Sequence, residues 1–278
     1  MMVGGVGCGH SRRVSLTLEV LHVPPTGAVA GPPLLFIHGS YCAAWIWETH
    51  FLPFFASLGF DCHALSLRGH GGSDGTVEWA SLADYVADVA QVAAALDRPP
   101  VLIGHSMGGL VAQHVVADGH PACGMALLAS TPPSGLGASS LHMMAHAPDV
   151  LFQLGLLQSL GPHMVSPNVM HRALFSDHTD PNHVVWMMNH LQKESTRITA
   201  ELLLPARPWP PGGAPVPVLV VGGDADKFLP VSAFNETAKH WQGELHVLAG
   251  APHGLMADSH YWRPTADLLL DWLRRNTV

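Results

Sequence analysis

The chain has 278 residues, a formal net charge of −8 and 48% hydrophobic residues, which suits one large α/β domain carrying an insertion. Its charge is spread along the chain with no basic run, which argues against a nucleic-acid partner. No stretch has the length and apolarity of a membrane span and the first residues lack the pattern of a secretory signal, so no stable membrane insertion and a cytoplasmic location are expected.

Residues 1–11 are Gly-rich and predicted to be disordered. Val14 to Val23 alternates in part and predicts a strand with one wet face. After a Pro/Gly turn, Leu34–Ile37 is a continuous apolar run of the kind found in a central strand covered on both faces. It ends in His38-Gly39-Ser40-Tyr41, where a glycine lets the backbone pass close to a bound group and the Ser40 N–H can point into a site. His38 is expected to brace that loop. Trp45 to Leu58 predicts a helix bent near Pro53, and Phe60 to Leu67 the next strand. Arg68-Gly69-His70-Gly71-Gly72-Ser73-Asp74 follows as a tight polar loop. Ser81 to Leu96 predicts an amphipathic helix with Ser81 as N-cap and Asp84 completing a capping box.

Val101-Leu102-Ile103-Gly104-His105-Ser106-Met107-Gly108-Gly109 is the most informative stretch. A buried strand meets a helix with no loop between them, so positions two before and two after the apex want glycine. Ser106 at the apex is left strained and exposed at a helix N-terminus, where free N–H groups stabilise negative charge. This is the G-x-S-x-G pattern of a nucleophile elbow. Gly124 to Ala129 predicts another buried strand.

From about residue 131 to 205 the buried-strand runs stop. This segment holds Met143, Met144, Met164, Met170, Met187 and Met188 and seven histidines, broken by Pro and Gly. It predicts a helical cap inserted over the strand ends, with a Met-rich lining suited to apolar substrates. The domain division is therefore a core from 1 to 130, a cap from 131 to 205, and the rest of the core from 206 to 278. After a Pro/Gly connector, Val218–Val221 predicts a central strand leading into Gly223-Asp224-Ala225-Asp226. Val231 to Trp241 predicts a helix and Glu244 to Ala249 the last strand, followed by Pro252-His253-Gly254. Tyr261 to Arg275 predicts a closing amphipathic helix.

A serine hydroxyl needs a base within hydrogen-bond reach and the base needs an orienting acid. In a parallel sheet, reactive groups gather beyond the carboxyl ends of strands. The histidine there is His253, and the acids are Asp224 and Asp226. The order Ser, Asp, His is that of one known hydrolase fold. The four cysteines are scattered and expected to be reduced thiols; the histidines are dispersed, and no metal and no cofactor are expected.

His38-Gly39, Arg68-Gly69-His70-Gly71, Gly104-x-Ser106-x-Gly108, Gly223-x-x-Asp226-x-x-x-Pro230 and Pro252-His253-Gly254 together resemble the α/β-hydrolase-fold serine hydrolases of the lipase/esterase kind. The Arg-Gly-His-Gly loop is similar to that of monoacylglycerol lipases and lysophospholipases. The resemblance runs from about Val14 to the C-terminus and is weakest in the cap. It implies a mostly parallel central sheet flanked by helices, with a helical cap insertion. It also implies Ser106 as nucleophile, His253 as base and Asp226 rather than Asp224 as the acid. The backbone N–H groups of Ser40 and Met107 would form the oxyanion hole, and the substrate would be a small-molecule ester. Thioesterases, C–C bond hydrolases, acyltransferases and cofactor-free perhydrolases share such a triad, and a ligand-binding receptor of the same fold is the alternative outside catalysis. Acyl-chain length, alcohol group and oligomeric state are open at this level.

Overall fold

The computed structural model describes residues 16–204 and 213–277. The expected disordered start, Cys8, the first residues of the Val14 strand and most of the Pro/Gly connector lie outside these described residues. In chain order the elements are β1 (Val20–Val23), β2 (Leu34–Ile37), α1 (Phe51–Ser57), β3 (Cys62–Leu65), α2 (Leu82–Ala95), β4 (Val101–His105), α3 (Met107–Ala117) and β5 (Gly124–Leu128). Five helices follow: α4 (Gly137–His146), α5 (Pro148–Leu160), α6 (Pro167–Leu174), α7 (Pro181–His190) and α8 (Thr196–Leu203). The chain then returns through β6 (Val218–Gly223), α9 (Val231–Trp241), β7 (Glu244–Leu248) and α10 (Trp262–Asn276).

The strands form one sheet in the order β1-β3-β2-β4-β5-β6-β7. Only β1 is antiparallel to its neighbour; the other pairings are parallel. β2 to β6 are buried along their whole length, which is why they read as unbroken apolar runs rather than alternating ones. Helices cover both faces: Trp47, Phe51 and Phe55 pack around Phe36, while Trp241, Leu269 and Trp272 belong to the same core.

Several predicted elements are trimmed or displaced. Among the described residues, the strand expected over Val14–Val23 is ladder-paired only from Val20. Leu16 to Glu19 instead run beside the polar loop, exchanging bonds between Thr17 and Asp74 and placing the Glu19 N–H on Ser73 Oγ. The Trp45–Leu58 helix is two pieces, a 3-10 turn at Ala44–Trp47 and α1. The break precedes Phe51, and Pro53 falls in the first turn of α1, where its missing N–H has no intrahelical acceptor to lose. Ser81 and Asp84 do form the reciprocal capping box of α2.

Candidate active site

The elbow is set by close backbone approaches. A Cβ on Gly104 would overlap the Gly108 carbonyl, and one on Gly108 would overlap the carbonyls of Ile37 and His38 at the end of β2. The second glycine is therefore required by the neighbouring strand as much as by the turn. Ser106 sits between them at φ 53°, ψ −119°, a region non-glycine residues occupy only under strain of about 1–3 kcal/mol. Its side chain does not cap α3.

The structure brings Ser106, His253 and Asp226 into one hydrogen-bonded line. His253 Nε2 is 3.1 Å from Ser106 Oγ, and His253 Nδ1 is 2.7 Å from Asp226 Oδ2. A carboxylate can only accept, so Nδ1 carries the proton and Nε2 presents a lone pair to the serine hydroxyl. Asp226 is held by the N–H groups of Phe228 and Leu229, at 2.8 and 2.9 Å on Oδ1. Asp224, by contrast, is exposed and accepts the Gly250 N–H at 2.6 Å, bracing the turn before His253. Each of these groups follows a different parallel strand: Ser106 after β4, the aspartates after β6, His253 after β7.

The loop after β2 lies against the elbow, where a Cβ on Gly39 would stand 2.9 Å from His105 Nδ1 and 3.1 Å from Ser106 Cβ. Met107 opens α3, so its N–H has no intrahelical acceptor. The Ser40 N–H meets no acceptor among the described residues. The Ser40 hydroxyl donates to Met107 Sδ at 3.3 Å, joining the two segments. His38 braces the loop as expected. It is fully buried, accepts the Leu67 N–H on Nε2 at 3.0 Å and donates from Nδ1 to Gly39 O at 2.8 Å.

Other groups of the site carry no local sequence signal. Tyr41, at φ 65°, donates its N–H to the buried Glu194 carboxylate at 3.4 Å and its hydroxyl to Gln158 at 2.6 Å. Glu194 also accepts from the Tyr85 hydroxyl and the Ser195 N–H, both at 2.7 Å. The segment before α8 is thus clamped onto the loop after β2. Asp258 makes a second clamp: it takes the Ser176 N–H at 2.6 Å and the Thr179 hydroxyl at 2.9 Å, fixing the segment after α6 to the His253 loop. Arg68 of the polar loop faces away, paired with Asp88 at 2.6 Å and Asp84 at 2.8 Å. Cys42 lines the site, but burial and then the Glu194 charge push its thiol up to about 12, so it stays protonated and inert.

A cavity of about 180 Å³ opens over Ser106 and His253. Its walls are mostly apolar; about half of them come from the segment between β5 and β6, including Leu154, Leu157, Phe175 and Leu202, and the rest from the loops after β2, β4, β6 and β7. The expected Met-rich lining is only partly found. Met170 and Met187 face the cavity, while Met143 packs in a separate cluster and Met144 and Met164 are exposed.

Two buried histidines make the site acid-sensitive. Burial, then the neighbouring His70, lowers His38 to about 3; burial, then His253, lowers His105 to about 3. His105 Nε2 donates to the His253 carbonyl at 3.1 Å, so both rings hold site loops while neutral. Between about pH 6.5 and 3 the unfolded chain binds protons that the fold refuses, so stability falls as pH drops through that window. The slope is at most about 1.4 kcal/mol per pH unit for each histidine. Denaturant titrations from pH 7 to 4.5 should show this loss, with a shallower slope in His38→Asn; a wild-type stability flat over that range would contradict it.

A model of the alpha/beta hydrolase family matches residues 34–268. Over 106 residues the chain is 39% identical to a non-heme chloroperoxidase of Streptomyces lividans, covering 37% of this chain and 38% of that protein. Over 92 residues it is 38% identical to protein phosphatase methylesterase 1 of Mus musculus, covering 31% of this chain and 24% of that protein. These matches span well under half the length of either relative. Among solved structures, a bromoperoxidase from Bacillus anthracis superposes with a TM-score of 0.74 at 17% identity, covering 94% of this chain and 97% of that one. An esterase from Exiguobacterium antarcticum does so with a TM-score of 0.73 at 16% identity, covering 93% and 96%. Similarity at that identity shows a shared fold.

Proposed function

The chain belongs to the alpha/beta hydrolase family, and from that premise we infer that it is a serine hydrolase cleaving carboxylic esters through an acyl-enzyme. The observation that carries this reading is the line Ser106–His253–Asp226, with hydrogen bonds of 3.1 and 2.7 Å and a buried carboxylate at its end. Ser106 Oγ attacks the ester carbonyl while His253 Nε2 takes its proton. Asp226 keeps the proton on Nδ1 and stabilises the imidazolium that forms. The carbonyl oxygen becomes an oxyanion received by the N–H groups of Ser40 and Met107, each such donor being worth about 3–4 kcal/mol of barrier. His253 then protonates the leaving alcohol, and water repeats the sequence on the acyl-Ser106 ester. The helical segment 131–205 serves as the cap, seated by the Glu194 and Asp258 clamps. The methylesterase among the relatives supports the same reading.

The cavity narrows the acyl group. A cavity of roughly 150 Å³ holds one benzene, so about 180 Å³ fits an acyl chain of roughly six or seven carbons. Across p-nitrophenyl esters from acetate to dodecanoate, kcat/KM should rise by up to about fourfold per methylene as each is buried, then fall beyond roughly seven carbons. No turnover of any ester would overturn the functional reading; a maximum at dodecanoate would overturn the chain-length claim alone. The local similarity to a chloroperoxidase favours one further reading on the same residues: hydrogen peroxide in place of water would take the acyl group from Ser106 and leave as the peracid. Peroxide-dependent halide oxidation in the presence of a short carboxylic acid tests it.

A further inference from the structure

The dispersed histidines gave no sign of a metal site, yet strand register gathers three donors at one spot far from Ser106. In the antiparallel pair of β1 and β3, His22 stands directly opposite His63. Asp61 lies two residues before His63, so the pleat sends both side chains to the same side. The result is compact. His22 Nε2 is 2.7 Å from one oxygen of Asp61, and His63 Nε2 is 2.9 Å from the other. The two imidazoles are stacked 4.4 Å apart and only 4° from parallel, with both Nε2 atoms turned to the shared carboxylate. All three donor atoms lie within 4.8 Å of one another.

From this geometry we propose that His22, Asp61 and His63 bind a divalent transition-metal ion, zinc in the first instance. Two imidazoles and one carboxylate are a donor set that suits zinc, with water in the fourth position of a tetrahedron. With metal–ligand distances near 2.1 Å, neighbouring donors of such a tetrahedron stand ~3.4 Å apart. The Asp61 contacts, at 2.7 and 2.9 Å, need to open by roughly half an ångström or a little more, and the imidazoles must close on each other by side-chain rotation. His22 is half exposed, with 49% of its side chain accessible, and provides the path of entry; His63, at 11%, anchors the other side. Binding replaces the two N–H···O bonds by coordination, and each imidazole then carries its proton on Nδ1 so that Nε2 offers a lone pair to the metal. It ties β1, the edge strand, to β3. Asp61 precedes the first residue of β3, whereas the Ser106 site lies beyond the last residues of the parallel strands. Metal here therefore acts on the sheet edge and takes no part in ester cleavage.

The competing location is the pair His142 and His146 on α4, whose rings stack at 4.4 Å but which have no carboxylate between them. Calorimetric titration of chelator-treated protein with zinc chloride separates the two. Wild type and His142→Ala should share one tightest zinc event per chain, and His22→Ala and Asp61→Asn should each weaken that event by at least ~10-fold. Zinc should also raise the unfolding temperature of wild type and of His142→Ala, but not of His22→Ala. His22 is exposed enough that its alanine variant should unfold at the wild-type temperature in the absence of metal, which separates lost binding from lost folding. An unchanged tightest event in His22→Ala, its loss in His142→Ala, or no zinc binding by wild type would each overturn the proposal. None of these outcomes depends on the ester-hydrolase reading.

Discussion

Ser106→Ala should lower kcat for ester hydrolysis by about 10⁵–10⁶-fold, the scale on which a serine hydrolase loses its nucleophile, while the protein remains folded. The hydroxyl is the only part of the side chain that the proposed chemistry uses, and Ser106 Oγ has His253 as its partner at 3.1 Å. Ser106→Gly should lose as much activity and gain stability of order 1 kcal/mol. The backbone there is held at φ 53°, which glycine adopts without strain. Loss of activity together with gain of stability is the signature of a strained functional residue. If the glycine variant proved markedly less stable, the strain argument would fail. If the alanine variant kept wild-type turnover, Ser106 would not be the nucleophile.

The second large effect separates two aspartates that are neighbours in sequence. Asp226→Asn should cost on the order of 10⁴ in kcat; Asp224→Asn should cost only a few-fold. The difference follows from the bonds that Asp226 makes. Its Oδ1 accepts two backbone N–H groups. An asparagine must turn its amide oxygen to them and its NH₂ toward His253 Nδ1. His253 is then forced to carry its proton on Nε2, where it cannot receive one from Ser106. Asp224 only accepts the Gly250 N–H, a bond that an asparagine oxygen also makes. Steady-state kinetics of the two variants on one ester check the ranking, and the reverse order would make Asp224 the acid.

How much of this was legible in the sequence depends on whether a feature is local. Leu34–Ile37 and Val231–Trp241 match their predicted bounds. The first is buried on both faces, and the second buries one face and exposes the other, so burial writes itself directly into the sequence pattern. The elbow was legible because steric crowding demands its glycines, and Asp226 because its loop carries a recognisable spacing. Over Leu16 to Glu19 β1 was overextended because an edge strand's pairing ends where its neighbour turns away, which those residues do not encode. The inserted helices were legible only as short helices. α5 is apolar around most of its circumference, so no face could be assigned, and which methionines reach the cavity depends on how it packs. Glu194, Gln158 and Asp258 gave no signal, since each acts on a segment more than thirty residues away. The His22–Asp61–His63 cluster was hidden for the same reason: only the register of β1 on β3 makes it one site.

In the proposed chemistry everything rests on Ser106 being an activated nucleophile. Intact-protein mass spectrometry after exposure to a small fluorophosphonate tests it most directly, with Ser106→Ala treated in parallel. One phosphonyl adduct per chain is expected on the wild type and none on the variant. An unmodified wild-type protein, or an adduct of equal yield on Ser106→Ala, would contradict it.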